Sequence, residues 1–292
     1  MLPKVGIVGI GHSKFGKSAD ATIRELAHEA AWPALEDAGI TIGDVDASVI
    51  GIASEEFAMQ AAPAAIVHDY VGMGNKPTYR VEAACATGSA AIRTAWALIN
   101  SKLHDMVLVI GAESMTRVSS ARATEFMARS GDTRWEYPLG ATFPAYYALM
   151  ATAHMNEFGT TREQLSMVSV KNHKYGAMNP NAHLQKEISL EEAVKSAIIS
   201  YPLNLYDCCA ISDGAAAVVM ASEEKAKRIT DTPVWINGLG AASDSMLIAE
   251  RSTLTGLAGT KVAAKRAYEM AGVRPDNVDV AEVHDCFTIA EI

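Results

Sequence analysis

The chain has 292 residues, 49% hydrophobic and 20% charged, which is the balance of a globular protein with one large domain or two ordinary ones. A formal net charge of −9 argues against non-specific binding to nucleic acid or to an anionic membrane, while leaving room for an anionic ligand held by a local Arg and Lys cluster. Four cysteines (Cys85, Cys208, Cys209 and Cys286) form neither a disulfide framework nor a zinc-ligand spacing, and no apolar run reaches signal-peptide or membrane-spanning length, so a cytoplasmic protein without a metal centre is expected.

Residues 4–11, KVGIVGIG, predict a buried strand closed by glycines. Residues 22–39 predict a helix with Gly39 as its C-cap. A second strand is expected over 45–54, a helix over 86–102 and another buried strand over 106–114. Strands alternating with helices predict a parallel or mixed sheet covered on its faces by helices. From about 115 to 205 the chain is richer in charge, Met and aromatics, with helices expected near 144–158, 161–175 and 190–199. This stretch reads as an insertion or cap. Residues 212–222, SDGAAAVVMAS, return to strand-like sequence with small side chains.

An internal repeat organises the rest. Residues 30–50, AAWPALEDAGITIGDVDASVI, align without gaps on 263–283, AAKRAYEMAGVRPDNVDVAEV. Ala30, Ala31, Ala34, Glu36, Ala38, Gly39, Val45 and Asp46 meet Ala263, Ala264, Ala267, Glu269, Ala271, Gly272, Val278 and Asp279. The strand Val5–Gly11 likewise resembles Val234–Gly240, at a slightly shorter offset. Chance similarity between Ala-rich helices would not also match the Gly turn and the strand after it, so duplication is the better reading. At the same offset Ile292 falls on Met59, whereas the first copy runs to Ser114 before its sheet is complete. The expectation is a second copy that is cut short, or completed by another polypeptide.

Cys85, in VEAACATGSAA, stands at a strand-to-helix junction. A thiolate there gains from the helix dipole and from free backbone N–H groups, which can lower its pKa, and the small neighbours leave room for a substrate. A buried inert cysteine fits the same local context, which alone favours it. The second copy ends in VDVAEVHDCFTIAEI, where a strand is expected to deliver His284, Asp285, Cys286 and Phe287 at its C-terminal end, the end at which α/β folds bind ligands. Imidazole can polarise a carbonyl or move a proton near neutral pH. A His that merely caps the element is the alternative, and Asp285 reads as a helix N-cap.

GIGHSKFG at 9–16, EAACATGSAA at 82–91, VIGAESM at 109–115, YPLNLYDCCAISDGAAAVV at 201–219 and EVHDCFT at 282–288 together resemble the thiolase superfamily. The likeness is to its sterol-carrier-protein-2-type and archaeal acetyl-CoA acetyltransferase branch. It implies a duplicated α/β fold of αβαβα layers with an inserted loop domain. On this reading 1–114 and 206–230 form the N-terminal half, 115–205 the loop domain, and 231–292 the incomplete C-terminal half. Cys85 would be the nucleophile that takes an acyl group from acyl-CoA, with its own N–H in an oxyanion hole. His284 would help form the oxyanion hole for the thioester enolate. The activity implied is the reversible condensation of two acetyl-CoA to acetoacetyl-CoA and CoA, with CoA thioesters as substrates and no tightly bound cofactor. The branch also implies a homodimer or dimer of dimers, and an OB-fold zinc-ribbon partner and a hydroxymethylglutaryl-CoA synthase in its archaeal members. The family's Gly-His-Pro motif, whose His activates the nucleophile, and its late Cys-x-Gly motif do not occur in these residues. Alternatives are a thiolase-like acylase, an aldolase subunit acting on another β-keto compound, or a non-catalytic scaffold or half of a split enzyme.

Other features carry less. The glycines of GIGHSKFG lack the third glycine of a dinucleotide-binding loop, position 14 being Lys. Cys208 and Cys209 read as buried packing, and His154, His173 and His183 as ordinary histidines. Arg117, Arg122, Arg129, Arg134, Lys171 and Lys174 read as a solvated face.

Overall fold

A computed structural model describes residues 3–18 and 20–292. In chain order the first elements are β1 (Val5–His12), α1 (Ile23–Ala38), β2 (Ala47–Gly51), α2 (Glu55–Ala58), α3 (Pro63–Tyr70), β3 (Thr78–Val81), α4 (Thr87–Asn100) and β4 (Met106–Ser114). There follow α5 (Ser120–Ala128), α6 (Phe143–Phe158), α7 (Arg162–Met178), α8 (Leu190–Lys195), β5 (Ile198–Ser200) and β6 (Leu203–Asn204). The last are β7 (Asp213–Ser222), α9 (Glu223–Ile229), β8 (Val234–Trp235), α10 (Ala258–Ala271) and α11 (Thr288–Glu291). They form two compact units, Met1–Ser120 with Ile211–Asn237, and Ala121–Ala210 with Gly238–Ile292.

The first unit holds a six-stranded mixed sheet in the order β3-β2-β4-β7-β1-β8. β2 lies parallel to β3 and β4, while β7 runs antiparallel to both β4 and β1. The continuous apolar runs of β2 and β4 follow from burial on both sheet faces. On one face Leu26, Ala30 and Ala34 of α1 pack with Ile50, Leu108, Ile110 and Val219. On the other, Ala91, Ala95 and Ile99 of α4 pack with Val49, Val107, Val109 and Met220.

The glycines of GIGHSKFG are explained by this packing. A Cβ on Gly9 would stand 2.2 Å from Ala34 O, and one on Gly11 2.4 Å from Ala30 O, so α1 rests directly on the β1 backbone. The duplication is repeated atom for atom. A Cβ on Gly238 would stand 2.2 Å from Ala267 O, and one on Gly240 1.7 Å from Ala263 O, the counterparts in the second copy. Both helices end on a left-handed glycine, Gly39 at φ 64° and Gly272 at φ 68°, where a side chain would be strained. A short 3₁₀ turn follows each, Ile42–Asp44 and Pro275–Asn277.

The second unit contains α6, α7, α8, the β5–β6 hairpin, α10 and α11. Its core joins Ala148, Ala151, Leu165 and Leu203 to Cys286, Phe287 and Ile289. Three sequence expectations fail, one of them in the first unit. The helix expected to 199 stops at Lys195 and the chain turns into β5. The strand expected over Val234–Gly240 is confined to Val234–Trp235, which pairs with β1. The strand expected before His284 is absent: residues 278–284 are exposed and have no ladder partner among the described residues. The first copy differs in that β2 has β3 and β4 on its two sides. Similarly, α1 buries eight residues, whereas α10 buries none.

Candidate active site

Cys85 sits where three parallel strands end. β3 stops at Val81, a 3₁₀ turn covers Ala84–Ala86, and α4 begins at Thr87. Ala84 has φ 47°, a left-handed conformation that costs a non-glycine residue about 1 kcal/mol or more. Hydrogen bonds hold the turn in that state. Ala83 N–H donates to Thr87 Oγ1 at 2.9 Å, Thr87 Oγ1 donates to Ala84 O at 2.6 Å, and Ala84 N–H donates to Glu82 Oε1 at 2.5 Å. The outcome is a buried Thr87 beneath an exposed Cys85, with open space over Gly88 on the next turn.

The thiol is not activated by its surroundings in this unit. Desolvation raises the pKa of Cys85 above the ordinary thiol value, and only its own backbone amide opposes the shift. The expectation of a thiol lowered by the helix N-terminus is therefore corrected. The residue is exposed as a whole, yet partial burial of the thiol is the largest cause of the upward shift.

Two carboxylates with no role assigned from sequence organise the same strand ends. Glu113 on β4 accepts Ala53 N–H on Oε1 at 2.5 Å. Burial pushes its pKa up to about 7 against the amides of Ala53 and Ser54 and the charge of Arg80, which is itself paired with Glu55. Asp213, fully buried at the start of β7, accepts Ser18 N–H at 2.9 Å, Thr116 N–H at 2.7 Å and the Thr116 hydroxyl at 2.5 Å. It thereby ties together the segment after β1 and the turn after β4. Both stand in motifs that carry the family resemblance, VIGAESM and YPLNLYDCCAISDGAAAVV, but nothing in the sequence showed this work.

His284 belongs to the second unit, is exposed, and makes no hydrogen bond among the described residues. The HDCF segment after it is firmly docked. Phe287 stacks on Tyr147 with ring centroids 4.4 Å apart. The Thr288 hydroxyl donates to Asp207 Oδ1 at 3.0 Å, and the buried Asp207 also pairs with Arg162 at 2.5 Å. Asp285 is not a helix cap, because Phe287 holds the N-cap position of α11; its carboxylate instead accepts from Asn172. A cavity of about 180 Å³ lies among Ser169, Asn172, His173, Tyr206, Asp285 and Thr288. Cys208 and Cys209 are not both buried. Cys209 is exposed, and Cys208 donates to Asn204 O at 3.5 Å with its pKa pushed up to about 12 by burial and by Asp207. His154 and His173 bond to Thr160 and to the Lys186 carbonyl, as ordinary histidines do.

A mixed α/β fold with a repeated helix-on-strand unit presents a cysteine on a strained strand-to-helix turn, an arrangement that suits the nucleophile of covalent catalysis. Residues 5–224 match the family description "Thiolase, N-terminal domain" and residues 240–292 match "Thiolase C-terminal domain-like". The chain is 40% identical, over 98% of its length and 74% of the relative's, to an acetyl-CoA acetyltransferase of Methanothermobacter thermautotrophicus. It is 41% identical, over 98% of its length and 73% of the relative's, to an acetyl-CoA acetyltransferase of Methanocaldococcus jannaschii. Among solved structures, the Ltp2-ChsH2(DUF35) aldolase superposes with a TM-score of 0.84 at 28% identity, covering 99% of this chain and 75% of that one. The chain belongs to the thiolase family, in its sterol-carrier-protein-2-type branch, and is a thiolase-family acyltransferase.

Proposed function

We propose that the enzyme interconverts two acetyl-CoA with acetoacetyl-CoA and CoA, through an acetyl thioester on Cys85. In the first half-reaction the Cys85 thiolate attacks the acetyl carbonyl, the bond from carbon to the CoA sulfur breaks, and CoA leaves as the thiol after taking a proton. In the second, the α-carbon of another acetyl-CoA loses a proton and attacks the acetyl-Cys85 carbonyl, which releases the cysteine. Backbone N–H donors at the start of α4 are suited to the oxyanion that develops at each attack. His284 is proposed as the donor to the enolate oxygen. Because desolvation favours the protonated thiol, the first step also requires a base at Cys85.

The observation that carries this reading is the exposed Cys85 on its clasped turn, within a chain alike over nearly its whole length to acetyl-CoA acetyltransferases. The test is intact-protein and peptide mass spectrometry after incubation with acetyl-CoA. One acetyl group on Cys85, absent from Cys85→Ala, supports the mechanism; an unmodified Cys85 or full turnover by Cys85→Ala overturns it. The likeness to an aldolase favours a second reading, carbon–carbon cleavage of another β-keto or β-hydroxy thioester. A substrate panel separates the two, since an aldolase releases product without acylating Cys85. The cytoplasmic setting, the homodimer and the OB-fold partner belong to the proposal as well, and native mass with and without such a protein checks the assembly.

A further inference from the structure

Glu113 has a carboxyl group in an unusual state. Oε1 holds the Ala53 amide, while Oε2 is buried without a hydrogen-bond partner among the described residues. The charged groups around it are already engaged. Arg80 on β3 faces it but is paired with Glu55 on α2. On the β7 side its register partner is Gly214, and the neighbouring Asp213 is taken up by Ser18 and Thr116.

Ala53 and Ser54 directly follow Gly51 and Ile52, and both of those residues reach the Cys85 turn. A Cβ on Gly51 would stand 2.9 Å from Thr87 Cγ2, so Thr87 rests on the Gly51 backbone. Ile52 N–H donates to Val81 O at 3.4 Å, just ahead of Glu82 and the turn. Thr87 in turn clasps Ala83 and Ala84.

We propose that Glu113 is a positioning residue for Cys85: its carboxylate holds the Ala53–Ser54 corner and, through Gly51, Ile52 and Thr87, the turn that presents the thiol. The proposal rests on the reading of Cys85 as the nucleophile. No charged neighbour contributes to the state of the thiol, so the coupling runs through the backbone rather than through space. An ionised carboxylate binds an amide more strongly than a neutral carboxyl does, and burial brings the change between the two to about pH 7. The reactivity of Cys85 should therefore contain a step that belongs to Glu113.

The experiment is the rate of Cys85 alkylation by iodoacetamide, followed by peptide mass spectrometry between about pH 5.5 and 9. A lone thiol below its pKa gives a rate that rises tenfold per pH unit. The wild-type protein should gain roughly fivefold beyond that line across about pH 7, the factor by which a charge-assisted hydrogen bond exceeds a neutral one. In Glu113→Gln the extra gain should vanish. A wild-type profile with no step overturns the proposal even if the variant fails to fold, and so does a step that persists in Glu113→Gln. Acetyl-CoA labelling of Cys85 is measured in parallel. A step without labelling overturns the nucleophile reading and keeps the coupling, whereas labelling without a step does the reverse.

Discussion

Gly11→Ala tests how α1 is seated. The new Cβ would stand 2.4 Å from Ala30 O, 2.6 Å from Ala34 N and 3.0 Å from Pro33 Cβ. Two of these are backbone atoms, so no side-chain rotation relieves the clash. Restoring ordinary contact requires α1 to rise from the sheet by about 1 Å, a gap that forfeits a quarter to a half of the dispersion contact along it. The cost falls on a helix that buries Ile23, Leu26, Ala27, Ala30, Ala31, Ala34, Leu35 and Ala38. We expect a loss of about 3 kcal/mol, at the upper end for overpacked cores. Equilibrium urea unfolding reads it as a midpoint lowered by about 1.5 M for a slope of about 2 kcal/mol/M. Gly74→Ala, where an added Cβ meets nothing within 4 Å, serves as the control and should stay within about 0.5 kcal/mol of wild type. A loss below about 1 kcal/mol for Gly11→Ala would refute the close seating, and with it the account of why glycines stand in GIGHSKFG.

Glu113 also predicts a pH dependence of stability. Its folded pKa of about 7 lies above the ordinary 4.5, so the native state binds the proton more tightly than the unfolded chain. This contribution is complete below pH 4.5 and is lost as pH rises through about 7, by up to about 3 kcal/mol. Difference urea curves for wild type against Glu113→Gln should show the gap opening in that window; a gap that opens as pH falls would contradict the assignment. Asp207→Ala leaves the buried guanidinium nitrogens of the part-buried Arg162 unpaired and removes the acceptor of Thr288, and should cost about 3 kcal/mol in thermal or urea unfolding. A change under about 1 kcal/mol would mean that Asp207 does not anchor the HDCF segment.

The core of the first unit was legible because its signals are local. β4 is a continuous apolar run, α1 has its apolar stripe and Gly39 stop, and both appear within a residue or two of expectation. The repeat was legible for the same reason, since close helix-on-strand packing demands glycine and alanine at matched positions. What failed depended on neighbours distant in the chain. Residues 278–284 carry a strand-like pattern, but a strand exists only where ladder partners accept its backbone groups, and none of the described residues does. Asp285 had the composition of a cap, yet the chain stays extended through Phe287 before α11 begins. The Cys85 thiol was the hardest to read. Its position at a helix start was visible, but the desolvation that raises its pKa depends on how the turn is folded around the thiol. Glu113 and Asp213 stood in motifs that carried the family resemblance. Their work, bonding backbone amides across the ends of strands, shows only in three dimensions.

The central claim is that Cys85 carries the acyl group between two thioesters. Its most direct test is peptide mass spectrometry of the protein quenched in acid after exposure to acetyl-CoA. The predicted result is a single acetyl group on the peptide containing Cys85, discharged by added CoA and missing in Cys85→Ala. Acetylation confined to other residues, or acetoacetyl-CoA formation undiminished in Cys85→Ala, would contradict it.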